Sequence, residues 1–221
     1  KVLSIDIDPQ GNSTSGFGID KNRLEYTIYD VLIEDYDINK IICKTEIENL
    51  DIIPANIQLA GAEIELTNTK YREKTLREKI NLIEKNYDFI IIDCPPSLGL
   101  LSLNALTAST SVLIPIQCEY YSLEGVGQLI DTVKLVRENL NPKLKIEGVL
   151  LNMFDGRTNL SIQVVEEVKK YFKDKVYRTV IPRSVRLAEA PSFGQPIMLY
   201  DDKSKGSTAY IKLSEEFIKN N

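Results

Sequence analysis

Short β-rich runs alternating with helix-patterned stretches predict an α/β fold. Its form is a doubly wound, mostly parallel sheet with helices on both faces. Three observations carry the prediction. Apolar runs of strand length recur through the 221 residues, amphipathic stretches separate them, and several runs end in an acid or an amide.

The elements follow in order. Residues 2–7 (VLSIDI) read as a strand entering a loop at Pro9 and Gly11. Residues 51–54 (DIIP) are a second short strand. Residues 70–86 place Leu76, Ile80 and Ile83 on one stripe among Lys, Arg and Glu, which predicts an amphipathic helix. Residues 88–93 (DFIIID) form a continuous apolar run ending in an acid, the pattern of a parallel strand buried on both faces. Residues 111–116 are a strand, and 122–140 a helix carrying Val126, Ile130, Val133, Val136 and Leu140. Residues 146–151 are a strand, 160–172 a helix, 176–181 a strand and 207–218 a terminal helix. Neither a repeat nor a linker interrupts the pattern, so residues 1–221 are expected to form one domain.

Composition narrows the chemistry. Hydrophobic residues make up 43% and charged residues 27%, which excludes disorder and low complexity. No apolar run approaches the ~18 residues of a membrane span. The chain has no histidine, which removes Cys/His zinc sites and Ser-His-Asp triads together. Its three cysteines, Cys43, Cys94 and Cys118, lack CxxC spacing and suit a reducing compartment. The net charge is −5 but uneven. Residues 1–66 carry 5 basic and 13 acidic residues, whereas residues 178–221 carry 7 basic and 5 acidic. Arg178, Arg183, Arg186, Lys203 and Lys205 in the latter stretch fit either a solvated surface or a phosphate-binding face.

In a doubly wound sheet the carboxyl ends of the strands lie on one edge, where ligands bind. Asp6 and Asp8 close the first strand, Asp93 closes DFIIID, Asn152 follows the run at 146–151, and Pro182-Arg183 follow the run at 176–181. A hydrophobic strand ending in Asp is the Walker B arrangement, which aims a carboxylate at a Mg²⁺-bound water beside nucleotide phosphates. Each residue has a bland alternative. Asp93 and Asp8 both suit turns next to proline, and Asn152 suits a loop. Their joint placement favours a nucleotide site.

Six blocks in this order resemble the ParA/Soj family of deviant-Walker partition ATPases. They are residues 6–12 (DIDPQGN), 51–66 (DIIPANIQLAGAEIEL), 93–105 (DCPPSLGLLSLNA), 115–125 (PIQCEYYSLEG), 151–157 (LNMFDGR) and 180–194 (VIPRSVRLAEAPSFG). The resemblance implies a P-loop NTPase fold, ATP and Mg²⁺ as cofactors, and an ATP-dependent homodimer. It further implies non-specific DNA binding, hydrolysis stimulated by a ParB-type centromere-binding protein, and a cytoplasmic, nucleoid-associated protein without a membrane partner. By the same resemblance Asp8 orients the attacking water, Asp93 stands near Mg²⁺ with Asp8, and Asn152, Pro182 and Arg183 frame the adenine. Pro95, Pro96 and Gly99 form the γ-phosphate switch, and Arg186, Lys203 and Lys205 contact DNA.

One family feature is missing from these residues. No GK[ST] occurs, although the family carries a KGGxGK[ST] loop just upstream of the strand that here is 2–7. Such a loop grips phosphates with backbone N–H groups, a Lys and a Ser/Thr. The expectation is therefore of a fragment that opens inside a domain at Lys1, lacking the first strand, P-loop and first helix, and binding ATP weakly by itself. Rival readings are a non-catalytic homologue acting as a regulatory or dimerisation partner, a MinD-like membrane-cycling ATPase, and an iron–sulfur reductase using Cys94 and Cys118.

Overall fold

The computed structural model of the chain describes residues 1–119 and 122–221, with side chains in the second stretch from residue 125 onward. Part of the 115–125 block, Tyr120 and Tyr121 included, thus lies outside the described residues. The chain divides into two compact units: Lys1–Thr110 with Leu135–Lys143, and Ser111–Lys134 with Leu144–Asn221.

The first unit contains β1 (Val2–Asp6), α1 (Asn12–Gly16), α2 (Ile28–Ile33), β2 (Cys43–Lys44), β3 (Leu50–Ile53), α3 (Leu59–Glu65), α4 (Thr75–Ile80), β4 (Phe89–Asp93) and α5 (Leu100–Ala108). Its four strands are ordered β2-β3-β1-β4, with β1 parallel to both neighbours and only the short β2 antiparallel. Leu3, Ile5, Ile7 and Ile53 pack with Ile28, Val31, Leu59, Leu66, Leu76 and Leu101 in a continuous core. Asp51, whose side chain is only 5% exposed, is held by Lys44, Lys85 and Tyr87. That cluster ties β2 and the chain leading into β4 to β3. Burial works against ionisation of Asp51, but the hydrogen bonds from Lys44 and Tyr87 win and hold its carboxyl below the usual range.

The second unit contains β5 (Ser111–Gln117), β6 (Lys145–Phe154), α7 (Asn159–Phe172), β7 (Val176–Pro182), α8 (Val185–Glu189), α9 (Ile197–Tyr200) and α10 (Lys205–Asn220), together with α6 (Ser122–Asn139) as far as Lys134. The three strands are ordered β5-β6-β7 and all parallel. Ile114, Ile116, Val149 and Leu151 pack against Ile130 of α6 and Val164 and Val168 of α7. On another side Tyr177 and Ile181 meet Tyr210, Leu213 and Phe217 of α10. Glu216 of α10 also accepts hydrogen bonds from the Arg178 and Thr179 backbone N–H groups, at 2.7 and 2.9 Å.

The parallel sheets flanked by helices match the expected α/β class, and three elements differ in detail. The helix expected over 70–86 is confined to Thr75–Ile80, preceded by a 3₁₀ turn at Arg72–Lys74. The periodicity of Leu76, Ile80 and Ile83 is real, since all three pack on the core. The chain nonetheless leaves the helix because Asn39 accepts from Glu84 N and donates to the Leu82 carbonyl, satisfying backbone groups that another helical turn would have paired. The run at 88–93 forms the expected strand, but Ile90 and Ile91 are 39% and 53% exposed. β4 is the last strand of its sheet, and among the described residues it pairs only with β1. β6 continues beyond 151 to Phe154, which places Asn152 inside the strand, opposite Gln117.

Candidate nucleotide-binding site

Two parallel strands, β1 and β4, pair in register so that Asp6 stands opposite Asp93, and Ile7 N donates to the Asp93 carbonyl at 2.9 Å. Asp6 is fully buried. One of its oxygens accepts from Thr14 N (2.9 Å) and Thr14 Oγ1 (2.8 Å), and the other from Asp8 N (3.1 Å). Thr14 Oγ1 in turn accepts from Ala55 N at 3.0 Å. These bonds curl residues 7–14 back over the sheet end. Gly11 completes the curl with φ of +60°, and a Cβ there would lie 2.8 Å from the Ala55 carbonyl oxygen. Burial pushes the Asp6 carboxyl up despite the Thr14 and Asp8 bonds, and the nearby Asp93 charge adds to the rise.

Asp8 is half-buried just above this anchor. Its Oδ1 accepts from Gln10 N at 2.9 Å, and its carbonyl accepts from Gly11 N. Asp8 thus forms the turn that its place before Pro9 suggests. Asp93 Oδ2 accepts from Ser13 Oγ at 2.6 Å. The thiol of Cys94 directly follows Asp93. Desolvation, then Asp93 and Asp8 as like charges, push it up to about 12, so it stays a thiol at neutral pH. Asp6 stands opposite Asp93 and Asp8 follows two residues on, so Asp8 and Asp93 lie at the same end of the paired strands. Ser13 and Thr14 escaped the sequence reading. The signal was present in QGNST, hydroxyls directly after a glycine that follows a strand.

Pro95 and Pro96 lie between β4 and α5, and Gly99 is the N-cap residue of α5. Ser102 Oγ donates to the Ser97 carbonyl at 2.5 Å and ties this loop to the first turn of the helix.

In the second unit, the carboxyl ends of β5, β6 and β7 gather the expected polar residues. Cys118 N donates to the Asn152 carbonyl and Arg183 N to the Phe154 carbonyl, both at 2.9 Å. The Asn152 side-chain oxygen accepts from Met153 N at 2.8 Å, beneath a left-handed Met153 with φ of +54°. Pro182 pairs with Phe154. Arg183 Nη2 reaches Glu119 Oε1 at 2.6 Å. Arg157 donates from Nε and Nη2 to Asp155 at 2.9 and 2.7 Å, and with the Arg157 N–H holds that carboxyl at about 2.

The basic positions are unequal. Lys203 and Lys205 are exposed and flank Ser204, whose Oγ caps α10 through Ser207 N. Arg186 of α8 is engaged by Glu189 at 3.1 Å and Asp201 at 3.5 Å.

This arrangement of parallel strands whose ends carry acids, followed by tight loops, defines a P-loop NTPase-type α/β protein. The family model described as an AAA domain matches residues 1–146. The sporulation initiation inhibitor protein Soj of Bacillus subtilis is 62% identical over 220 residues, covering 100% of this chain and 87% of that protein. The chromosome partitioning protein ParA of Myxococcus xanthus is 53% identical, covering 99% and 77%. Among solved structures, a putative plasmid partition protein from Borrelia burgdorferi bound to AMPPNP superposes with a TM-score of 0.84 at 26% identity, covering 100% of this chain and 87% of that one. Cobyrinic acid a,c-diamide synthase from Mycobacterium smegmatis with bound ADP and magnesium reaches 0.83 at 36% identity, covering 97% and 80%. The chain belongs to the ParA/Soj family.

Proposed function

We propose that the protein is an ATP-dependent partition protein for a chromosome or plasmid. ATP and Mg²⁺ drive its homodimerisation, and the dimer holds DNA without sequence preference. A ParB-type centromere-binding protein stimulates hydrolysis, and the site of action is the cytoplasmic nucleoid. The observation that carries this reading is the in-register pairing of β1 with β4, which sets Asp6, two residues before Asp8, opposite Asp93.

The donor set fits Mg²⁺. Asp8 and Asp93 offer hard carboxylate oxygens, and Ser13 supports Asp93 with a hydrogen bond. Among the described residues no cluster of three or more His, Cys, Asp or Glu side chains forms a metal cage. Mg²⁺ suits such a site, because it keeps several waters and is bound through one or two carboxylates together with substrate phosphates. When bound, it neutralises charge developing on the transferred phosphoryl group. Asp93 would hold it through water. Asp8, fixed by the Asp6–Thr14 curl, orients the attacking water. The Pro95-Pro96 to Gly99 segment responds to the γ-phosphate. Asn152, Pro182 and Arg183 frame the base, with Arg183 steadied by Glu119. Arg186, Lys203 and Lys205 face DNA.

The apolar face of α10 is occupied by Tyr177 and Ile181, which disfavours the MinD-like reading, because a membrane-cycling helix needs that face free. Among the described residues no helix is long and apolar enough to cross a membrane. The non-catalytic reading is separated by turnover.

Residues 1–221 spell no GK[ST] phosphate grip, so ATP binding by these residues alone should be weaker than micromolar in a fluorescent-nucleotide titration. In a version extended upstream through such a loop, DNA and a centromere-binding partner should raise ATP hydrolysis together. Absence of turnover with both present would instead support the regulatory, non-catalytic reading.

A further inference from the structure

Glu63 of α3 reaches across to the loop that follows β4. Its Oε1 is buried and has no hydrogen-bond partner among the described residues. The same oxygen lies 2.1 Å from where a Cβ on Gly99 would stand, with Cδ at 3.1 Å and Oε2 at 3.4 Å. Gly99 has φ of −84°, a conformation open to any residue, so no backbone requirement accounts for a glycine there. The carboxylate end of Glu63 occupies the space that a side chain there would take. A buried oxygen acceptor without a donor contributes no hydrogen bond to stability and carries its desolvation cost. Gly99 is the N-cap residue of α5, and an oxygen-bearing group is favoured beside the partial positive end of a helix. α3 ends two residues further on, at Glu65, and is anchored by the buried Leu59, Ala62 and Leu66, so the side chain springs from a rigid base.

We propose that Glu63 is a positioning residue for the Pro95–Gly99 segment: its side chain, seated over the bare Cα of Gly99, fixes this loop between the Asp93 strand and α5. The functional meaning of that segment as a switch rests on the nucleotide reading above, but the packing of Glu63 on Gly99 is testable without nucleotide. Glu63 sets where the loop rests, and its carboxylate end fills the space a methyl group on Gly99 would take. An alanine at 99 pushes the flexible end of Glu63 out of its seat. Gly99→Ala should therefore reproduce the loss of Glu63 itself.

The test is amide hydrogen exchange on the free 221-residue chain, read for peptides covering 94–104 beside the urea midpoint. Glu63→Ala and Gly99→Ala should each speed exchange there by about tenfold through local opening, with exchange elsewhere and the urea midpoint unchanged. The double variant should match either single within about threefold, because both remove one interaction. Glu63→Gln, which keeps the shape and an acceptor oxygen, should stay near the parent. Multiplying effects in the double variant, no local change in either single, or a Gln variant as fast as the Ala variant would each overturn the proposal. Because no nucleotide enters this measurement, its failure is separate from failure of the ATP reading, which the titration and turnover assays judge.

Discussion

The rims of the two sheets are built from the same parts and carry opposite electrostatic designs. At the end of β1 and β4, the acids Asp6, Asp8 and Asp93 are held by neutral donors: Thr14, Ser13 and backbone N–H groups. No Lys or Arg pairs with any of these three among the described residues. At the ends of β5, β6 and β7 the acids Glu119 and Asp155 each have a fixed cation, Arg183 and Arg157 respectively. The first rim gathers negative charge and is suited to receive a cation. The second is neutralised in place and presents a planar guanidinium and an amide, groups suited to a base rather than to a metal. In a protein whose first 66 residues carry a net charge of −8, leaving the first rim uncompensated is a local arrangement maintained against repulsion.

Breaking the first rim should have the larger consequences. In a version that turns over ATP, Asp8→Ala should lower hydrolysis by at least about 100-fold while leaving nucleotide and DNA binding intact. Hydrolysis at the parental rate would remove Asp8 from the role. Asp6→Ala strips the acceptor from Thr14 N, Thr14 Oγ1 and Asp8 N at a buried position. It should cost about 3 kcal/mol of unfolding free energy in urea melts, since orphaned buried donors are expensive.

The same carboxyl yields a pH signature. The folded Asp6 carboxyl is raised above its ordinary 3.8, so the native state binds its proton more tightly than the unfolded chain. Its contribution is fully present below pH 3.8 and is lost as pH rises through the higher folded value. Over that window the parent should lose stability relative to Asp6→Asn, and a parallel pair of stability curves would contradict the account.

The second rim should answer more quietly. Removing Lys203 and Lys205 together should flatten the log–log salt dependence of DNA binding by roughly 0.9 for each phosphate no longer neutralised, summed over both subunits of a dimer. Arg186→Ala should flatten it less, because Glu189 and Asp201 already engage that guanidinium. The smallest effect is local. Asp155 titrates at about 2 because Arg157 donates to it, so its stabilising effect is present above pH 3.8 and fades as pH falls toward 2. Arg157→Ala should return the Asp155 midpoint, followed by NMR, toward 3.8.

Much of this was legible in the residues. The strand runs at 2–7, 88–93, 111–116 and 176–181 announced themselves because β-branched and apolar residues cluster there between turn formers. The acids were visible because each closes such a run. The short helices at Asn12–Gly16, Leu59–Glu65 and Val185–Glu189 were not, since five to seven residues give too little periodicity to register. The shortened helix after residue 70 depended on Asn39, more than thirty positions away, and nothing local to 81–86 could reveal that.

Alternation of apolar runs and amphipathic stretches, the acids at run ends and the order of the family blocks belong to the sequence alone, because they rest on near neighbours along the chain. The tertiary structure decided which acid is an anchor and which is presented. Asp6 is sealed under Thr14 while Asp8, two residues on, stays at the rim, a distinction made by a hydroxyl eight residues from Asp6 and an amide at Ala55. It also decided that Glu63 would meet Gly99. Burial and the partners of a polar atom depend on segments distant in sequence, and only folding brings those segments within hydrogen-bond reach.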